Sequence, residues 1–429
     1  MEKRNKIINR GVLFFVIFYS ICCFLSLNRH SKDEVFNYHS EIFADKAEYY
    51  IYLPALFIYD FKANQLPYQI DKKTGSGFIA DTIKNKILTK VTYGVALLES
   101  PFFIVTHLLS KKLGYPADGF SIIYNRMIDI SGVFYAVFAV IFLYFFLIRY
   151  VASKIAVIVL SCLFFGTNLF YYSIFETGMS HIYSFFLFSV FLFLSGLMFK
   201  PNQPFLLNIL FGVVIGLIIM VRPINVIFLP VFLMFNQPDL KKIKKLFLPF
   251  LFIGISAFIV IIPQLIYWKY ASGNYLMYAY PNEGFTNLFS PKILNLWFST
   301  NNGLVIFSPL VILLLSGIIF MRKQYPKWSL FLIIYFILIS YIFSSWWCWN
   351  YGCSYGSRPF VEYYVIFSLP FCFFVKYILE KKVRLYLFAP IVILCVAWNL
   401  KLIFSFDGCW YGGDWDWKGL VTMLLSHTK

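Results

Sequence analysis

Two carboxylates, Asp45 and Glu48, lie in the segment Glu41-Ile42-Phe43-Ala44-Asp45-Lys46-Ala47-Glu48-Tyr49-Tyr50, just beyond the first apolar run of the chain. On a helix they would share a face. A carboxylate held at a membrane surface can take the proton from a hydroxyl nucleophile. The competing reading is a pair of solvated charges that balance Lys46. A second cluster, Phe175-Glu176-Thr177-Gly178-Met179-Ser180-His181, sits in a short turn between two apolar runs. An acid and a histidine so close to lipid are costly unless they face a cavity. Alternatively, Thr177 or Ser180 caps the next helix and Glu176 favours its N-terminus.

A third group is cationic: Lys90, Arg126, Arg222 and Arg358, each near the same end of an apolar run. Guanidinium forks match the oxygens of phosphate, although a single such cation also serves to snorkel towards headgroups. Glu362 follows Arg358 by one helical turn, which suggests a salt bridge between them. The segment 269–301 carries Tyr278, Tyr280, Asn282 and Glu283, and 345–359 carries Trp346, Trp347, Trp349 and Asn350. Aromatic faces with amides and carboxylates suit sugar rings, and they equally suit an interfacial aromatic belt. There is no GxxxxGK[ST] loop or HExxH, so a nucleotide-using site is unsupported. A transferase built on this chain would draw its energy from an activated lipid.

These residues are set among apolar runs. The chain is 60% hydrophobic and 13% charged, with 52 Phe and 31 Tyr, which predicts an all-α polytopic membrane protein. Ten-residue alternation of the β-barrel kind is absent. Eleven spans are predicted, at about 11–27, 124–148, 155–173, 180–199, 204–221, 223–235, 246–268, 302–320, 328–344, 360–379 and 385–405. The sixth is short and contains Pro230. The chain reads as one domain, 1–429, with a long outer loop at 28–123 and a Trp-rich outer tail at 406–429. The stretches Tyr49–Phe61 and Val91–Leu113, each interrupted by a proline, read as helices lying in the interface. If 93–110 crosses instead, the count becomes twelve.

The net charge of +17 is distributed by side. Segments 1–10, 149–154, 200–203, 236–245, 321–327 and 376–384 hold 18 Lys/Arg and three acids, against 19 and 17 elsewhere. That asymmetry predicts a cytoplasmic N-terminus and argues against nucleic acid as a partner. Lys3, Arg4, Lys6 and Arg10 precede the first span, and no small-x-small cleavage site follows Leu27, which predicts a retained signal anchor. Cys22, Cys23, Cys162, Cys372 and Cys395 read as apolar fillers. Cys348, Cys353 and Cys409 fall on the outer side, where at most one disulfide forms among them, and the sequence does not choose the pair.

In order and placement the chain resembles the GT-C membrane glycosyltransferases, which include protein O-mannosyltransferases and the aminoarabinose transferase that modifies lipid A. The residues that carry the resemblance are Asp45 after the first span, Tyr-Tyr-x-Tyr-Leu-Pro-Ala at 49–55 and Asn-Leu-Phe-Tyr-Tyr at 168–172. Met179-Ser180-His181-x-Tyr183-Ser184-Phe185, Arg222-Pro223-x-Asn225 and Tyr355-Gly356-x-Arg358 add to it, so that it spans roughly residues 10–370. It is especially similar to bacterial members.

The resemblance implies a polyprenyl-phosphate-linked sugar as donor and a glycan, lipid or protein acceptor. It implies catalysis at the non-cytoplasmic face of a bacterial inner membrane. Asp45 would be the general base, Glu176 a second acid, and Lys90 a contact to donor phosphate, with Arg222, Arg358 and Arg126 as further phosphate ligands. Glu48, His181, Tyr280 and Glu283 would line the substrate. Where the family carries Asp-Glu, this chain has Asp45-Lys46, which leaves a divalent metal open. Two other functions remain in view. A polyprenyl-linked glycan polymerase or ligase would favour Arg-rich outer loops. A lipid or solute transporter would favour acids within spans, as Asp129 is placed.

Overall fold

The computed structural model describes residues 2–29, 35–198, 203–236, 243–280 and 283–426. Asn282 and most of the basic segments 200–203 and 236–245 lie outside the described residues. Apolar helices dominate because runs of Leu, Ile and Phe satisfy their own backbone hydrogen bonds along the helix axis. The elements in chain order are α1 (Glu2–Leu27), α2 (Asp45–Tyr50), α3 (Tyr52–Phe57), α4 (Ile70–Lys73), β1 (Ile79–Asp81), β2 (Lys86–Leu88), α5 (Gly94–Ser110), α6 (Ile122–Leu147) and α7 (Ser153–Gly166). They continue as α8 (Leu169–Ile174), α9 (Ser180–Ser195), α10 (Leu206–Val221), α11 (Val231–Phe235), α12 (Ile243–Ser272), α13 (Ile293–Phe298), α14 (Leu304–Phe307) and α15 (Leu310–Met321). The last four are α16 (Pro326–Ser344), α17 (Tyr364–Leu379), α18 (Lys382–Ser405) and α19 (Trp417–Leu425).

Four segments are long and apolar enough to cross a membrane: Ile122–Leu147, Phe247–Ser272, Pro326–Ser344 and Lys382–Ser405. Seven shorter apolar helices, such as Ser180–Ser195 and Tyr364–Leu379, complete the bundle among the described residues. The predicted span 155–173 is broken at Thr167–Asn168, where the Thr167 hydroxyl bonds back to the Leu163 carbonyl. The predicted span 302–320 is likewise divided at Pro309, and the predicted sixth span is a 3-10 turn at Pro223–Phe228 followed by α11. Proline lacks the N–H that would continue each ladder.

α6 packs along α9, α15 along α17 and α10 along α12. Gly212 and Gly216, one turn apart on α10, make the last contact close. A Cβ at either would stand 2.3 Å from the Ile253 carbonyl oxygen or 2.7 Å from Val260 Cβ of α12. Small residues at this spacing let helix backbones meet.

The segment between α1 and α6 is not wholly helical. β1 and β2 form an antiparallel ribbon with Ile79 opposite Leu88, a correction to the all-helical expectation. Pro101 does not interrupt α5, which is continuous over 17 residues. α5 also docks on the bundle, with the buried Glu99 accepting from Tyr183 Oη of α9 at 2.7 Å. The tail contains a helix, α19, and among Cys348, Cys353 and Cys409 the disulfide joins Cys353 to Cys409.

Candidate active site

The site begins where the backbone turns sharply into α2. Ala44 sits at φ 47°, a left-handed value that only surrounding structure can hold in a non-glycine residue. Its N–H bonds to the Thr74 carbonyl at 2.9 Å. The turn puts Asp45 at the first position of α2 with Glu48 one turn on. Lys90 is brought to them by Thr89, whose hydroxyl donates to the Glu48 carbonyl at 3.0 Å and whose N–H donates to Tyr267 Oη at 2.8 Å. Arg222, at the end of α10, is brought close by Gly94. A Cβ there would lie 2.3 Å from the Met220 carbonyl oxygen, so only glycine lets α5 begin against the end of α10.

Asp45 Oδ2 accepts from Arg358 Nη2 at 2.9 Å. Its side chain keeps 44% of its surface open, although Arg358, Lys90 and His181 all act on its charge. It therefore lies on the wall of an open basin. Burial is the largest influence and works against the Asp45 charge, but Arg358, Lys90 and His181 together overcome it and hold the carboxyl below the usual range. Lys90 Nζ lies 3.6 Å from Glu48 Oε1 and 3.1 Å from Glu283 Oε1, and it stands over the Tyr280 ring at 5.5 Å. Burial, with the Asp45 charge adding to it, pushes the Glu48 carboxyl up to about 8 against the pull of Lys90. Glu48 Oε2 is buried without a hydrogen-bond partner. Tyr280 is within electrostatic reach of Glu48, Arg222 and Asp45, and Tyr49 of Arg222, Asp45 and Arg358. Asp45, Arg222 and Arg358 are thus near neighbours of Tyr49, and Lys90 of Tyr280.

The expected Arg358–Glu362 pair does not form. A break in the helix after the 3-10 turn Arg358–Phe360 turns the two side chains to different partners. Arg358 goes to Asp45, and Glu362, fully buried, accepts from Arg222 Nη1. His181 Nδ1 lies 2.9 Å from Glu362 Oε2 and 3.2 Å from Arg222 Nη1. Nδ1 can donate to Glu362 or accept from Arg222, which only donates, and the ring tautomer decides which. Glu362 is the residue that sequence reasoning missed as part of the site. The signal was its position between Arg358 and a Tyr-Tyr pair, and it was read as local.

Glu176 belongs elsewhere. Its Oε2 is 2.7 Å from Lys46 Nζ, and Lys46 also approaches Glu41, which pairs with Arg29. Burial raises the Glu176 carboxyl despite Lys46. No contact described among these residues joins Glu176 or Arg126 to the Asp45–Arg358 pair. Asp129, the acid within a span, is buried and accepts from the Ser26 and Thr177 hydroxyls at 3.1 and 3.0 Å, which binds three elements together. Among the described residues no group of three His, Cys, Asp or Glu converges as a metal site. Asp45 pairs with Arg358, and Glu48 faces Lys90. No protein-family description, curated protein or solved structure matches this chain.

Proposed function

We propose that this protein is an integral-membrane glycosyltransferase of the GT-C kind, with about eleven crossings and a cytoplasmic N-terminus. It would move a sugar from a polyprenyl-phosphate donor to an acceptor hydroxyl at the non-cytoplasmic face, with inversion. The observation that carries this reading is an open carboxylate, Asp45, with Arg358 and Lys90 acting on it and Arg222 beside the adjoining Tyr49. The nearby disulfide adds support, since such bonds persist on the oxidising side of a membrane.

In this mechanism the donor phosphate draws Arg358 away from Asp45. Loss of that partner raises the Asp45 pKa towards the working pH and makes it a better base. Asp45 takes the acceptor proton as the acceptor oxygen attacks the anomeric carbon. The bond from that carbon to the phosphate oxygen breaks, and its electron pair leaves with the lipid phosphate. Lys90, Arg222 and the displaced Arg358 stabilise the charge that develops there. Glu362, through His181 and Arg222, fixes the angle at which Arg222 faces the phosphate. One displacement suffices, so no second carboxylate nucleophile is required.

The test is release of polyprenyl phosphate by purified protein given a polyprenyl-phosphate sugar and an acceptor pool. Full turnover in Asp45→Asn overturns the reading. Labelling of a cysteine placed at Lys242 from outside intact cells overturns the orientation.

A further inference from the structure

α19 is too short to stand alone. A helix of 9 residues is marginal in water, so the rest of the molecule must hold it. Asp416 begins it: its Oδ1 accepts from the Gly419 N–H at 2.8 Å, and its own N–H donates to Thr300 Oγ1 at 2.9 Å. Leu420 is buried in the main apolar core, and Met423 and Leu424 pack against the same core. At the far end Lys401 Nζ of α18 donates to the Ser426 carbonyl at 3.1 Å. The helix is therefore fixed in rotation as well as in place.

That rotation divides α19 into three sectors. Leu420, Met423 and Leu424 face the protein. Trp417, Val421 and Leu425, each one turn from the next, form a second strip that is 50, 52 and 74% exposed. Lys418 and Thr422 form a third, polar and exposed. An open apolar strip beside a polar one suits a helix lying at a lipid–water boundary, where tryptophan is favoured. α18 sets the depth. It exposes Leu387, Ile391, Leu394 and Trp398 along one stripe, which Lys401 continues. From Lys382 to Lys401 this helix rises about 29 Å, close to the roughly 30 Å of a bilayer's hydrocarbon core. With Lys382 at one surface, Lys401 reaches the other, and Lys401 holds the end of α19. The strip on α19 is thus continuous with the lipid-facing side of α18.

We propose that α19 is an interfacial helix, with Trp417, Val421 and Leu425 seated in the phospholipid surface where α18 leaves the bilayer and with Lys418 and Thr422 turned to water. The partner is the lipid itself, met at the boundary between headgroups and acyl chains. This inference rests on α18 crossing the membrane, and it holds whether or not the basin transfers sugar.

The test is spin-label accessibility in the full chain reconstituted into phosphatidylcholine vesicles, with the free cysteines Cys22, Cys23, Cys162, Cys348, Cys372 and Cys395 replaced by alanine. A label on Val421→Cys is expected to collide more with oxygen, which partitions into lipid, than with a water-soluble nickel chelate. Leu425→Cys repeats the measurement on the same strip. The order reverses at Thr422→Cys. A label on Ile391→Cys, near the middle of α18, excludes the chelate. Equal chelate access at Val421 and Thr422 overturns the proposal. So does dipolar broadening between Val421 labels that vanishes on dilution with unlabelled protein, which would mean that a second copy covers the strip. Chelate access at Ile391 takes α18 out of the membrane and overturns it as well. None of these readouts uses substrate, so failure here is distinct from failure of the transferase assignment.

Discussion

Asp45 and Lys46 are neighbours on α2, yet they belong to opposite kinds of charge cluster. Lys46 enters a closed network with Glu41, Arg29 and Glu176, in which the Lys46 side chain is 5% exposed and Glu41 not at all. Asp45 enters an open basin with Arg358, Lys90, Glu48 and Glu283. Both clusters pair acids with bases, and both are assembled from loops around the same short helix. The difference is access. The closed network has its lone pairs taken up internally, as where Gly178 N–H donates to Glu41 Oε2 at 2.8 Å. The basin leaves a carboxylate face and ammonium protons for something else to meet. Charge at a membrane surface is therefore no guide to chemistry until its accessibility is known.

Substitutions can break this contrast. The largest effect is expected from Asp45→Asn, which should lower turnover by about 10²–10⁴-fold with the thermal midpoint in detergent unchanged. The amide keeps the shape and cannot accept the proton. Next, Lys46→Met should do the reverse. It leaves Glu176 without its cation in a largely buried site, at a cost of about 3–5 kcal/mol in stability, read by thermal unfolding. If Lys46→Met unfolds no more easily than Asp45→Asn, the two clusters are not different in kind.

A smaller change is expected from Arg222→Ala. Loss of a charge-assisted contact should weaken donor-lipid binding by about 1.5–3 kcal/mol, measured by titration with a polyprenyl-phosphate sugar.

The smallest effect concerns pH. Glu48 titrates at about 8 in the fold against 4.5 for the free group. The folded state thus holds a proton that the unfolded chain has lost. The Glu48 contribution is fully present below about 4.5 and is lost as pH rises through about 8. Glu48→Gln should flatten this part of the stability profile between those values. A profile identical to wild type would place the titration elsewhere.

Much of the helical scaffold was legible in the sequence because apolar periodicity and length act locally. Every predicted span falls on an apolar helix or on a helix broken by Pro or Thr, although among the described residues four are long enough to cross a membrane on length and composition. The breaks at Thr167 and Pro309 were missed because a run of hydrophobic residues masks them. The residue types of the site were also legible, since Asp45, Lys90, Arg222 and Arg358 stand out as charges at the ends of apolar runs. Their pairing was not. Spacing along the chain suggested Arg358 with Glu362 and treated Glu176 as a companion of Asp45. Backbone direction at two turns sends Arg358 to Asp45, Glu362 to Arg222 and Glu176 to Lys46. Which cysteine joins Cys409 was settled the same way, by which loop the tail reaches. Local propensity determines where helices begin and end. Partner choice among many like charges is decided by which side chains the packed helices bring within a few ångströms, and that information is distributed over the whole chain.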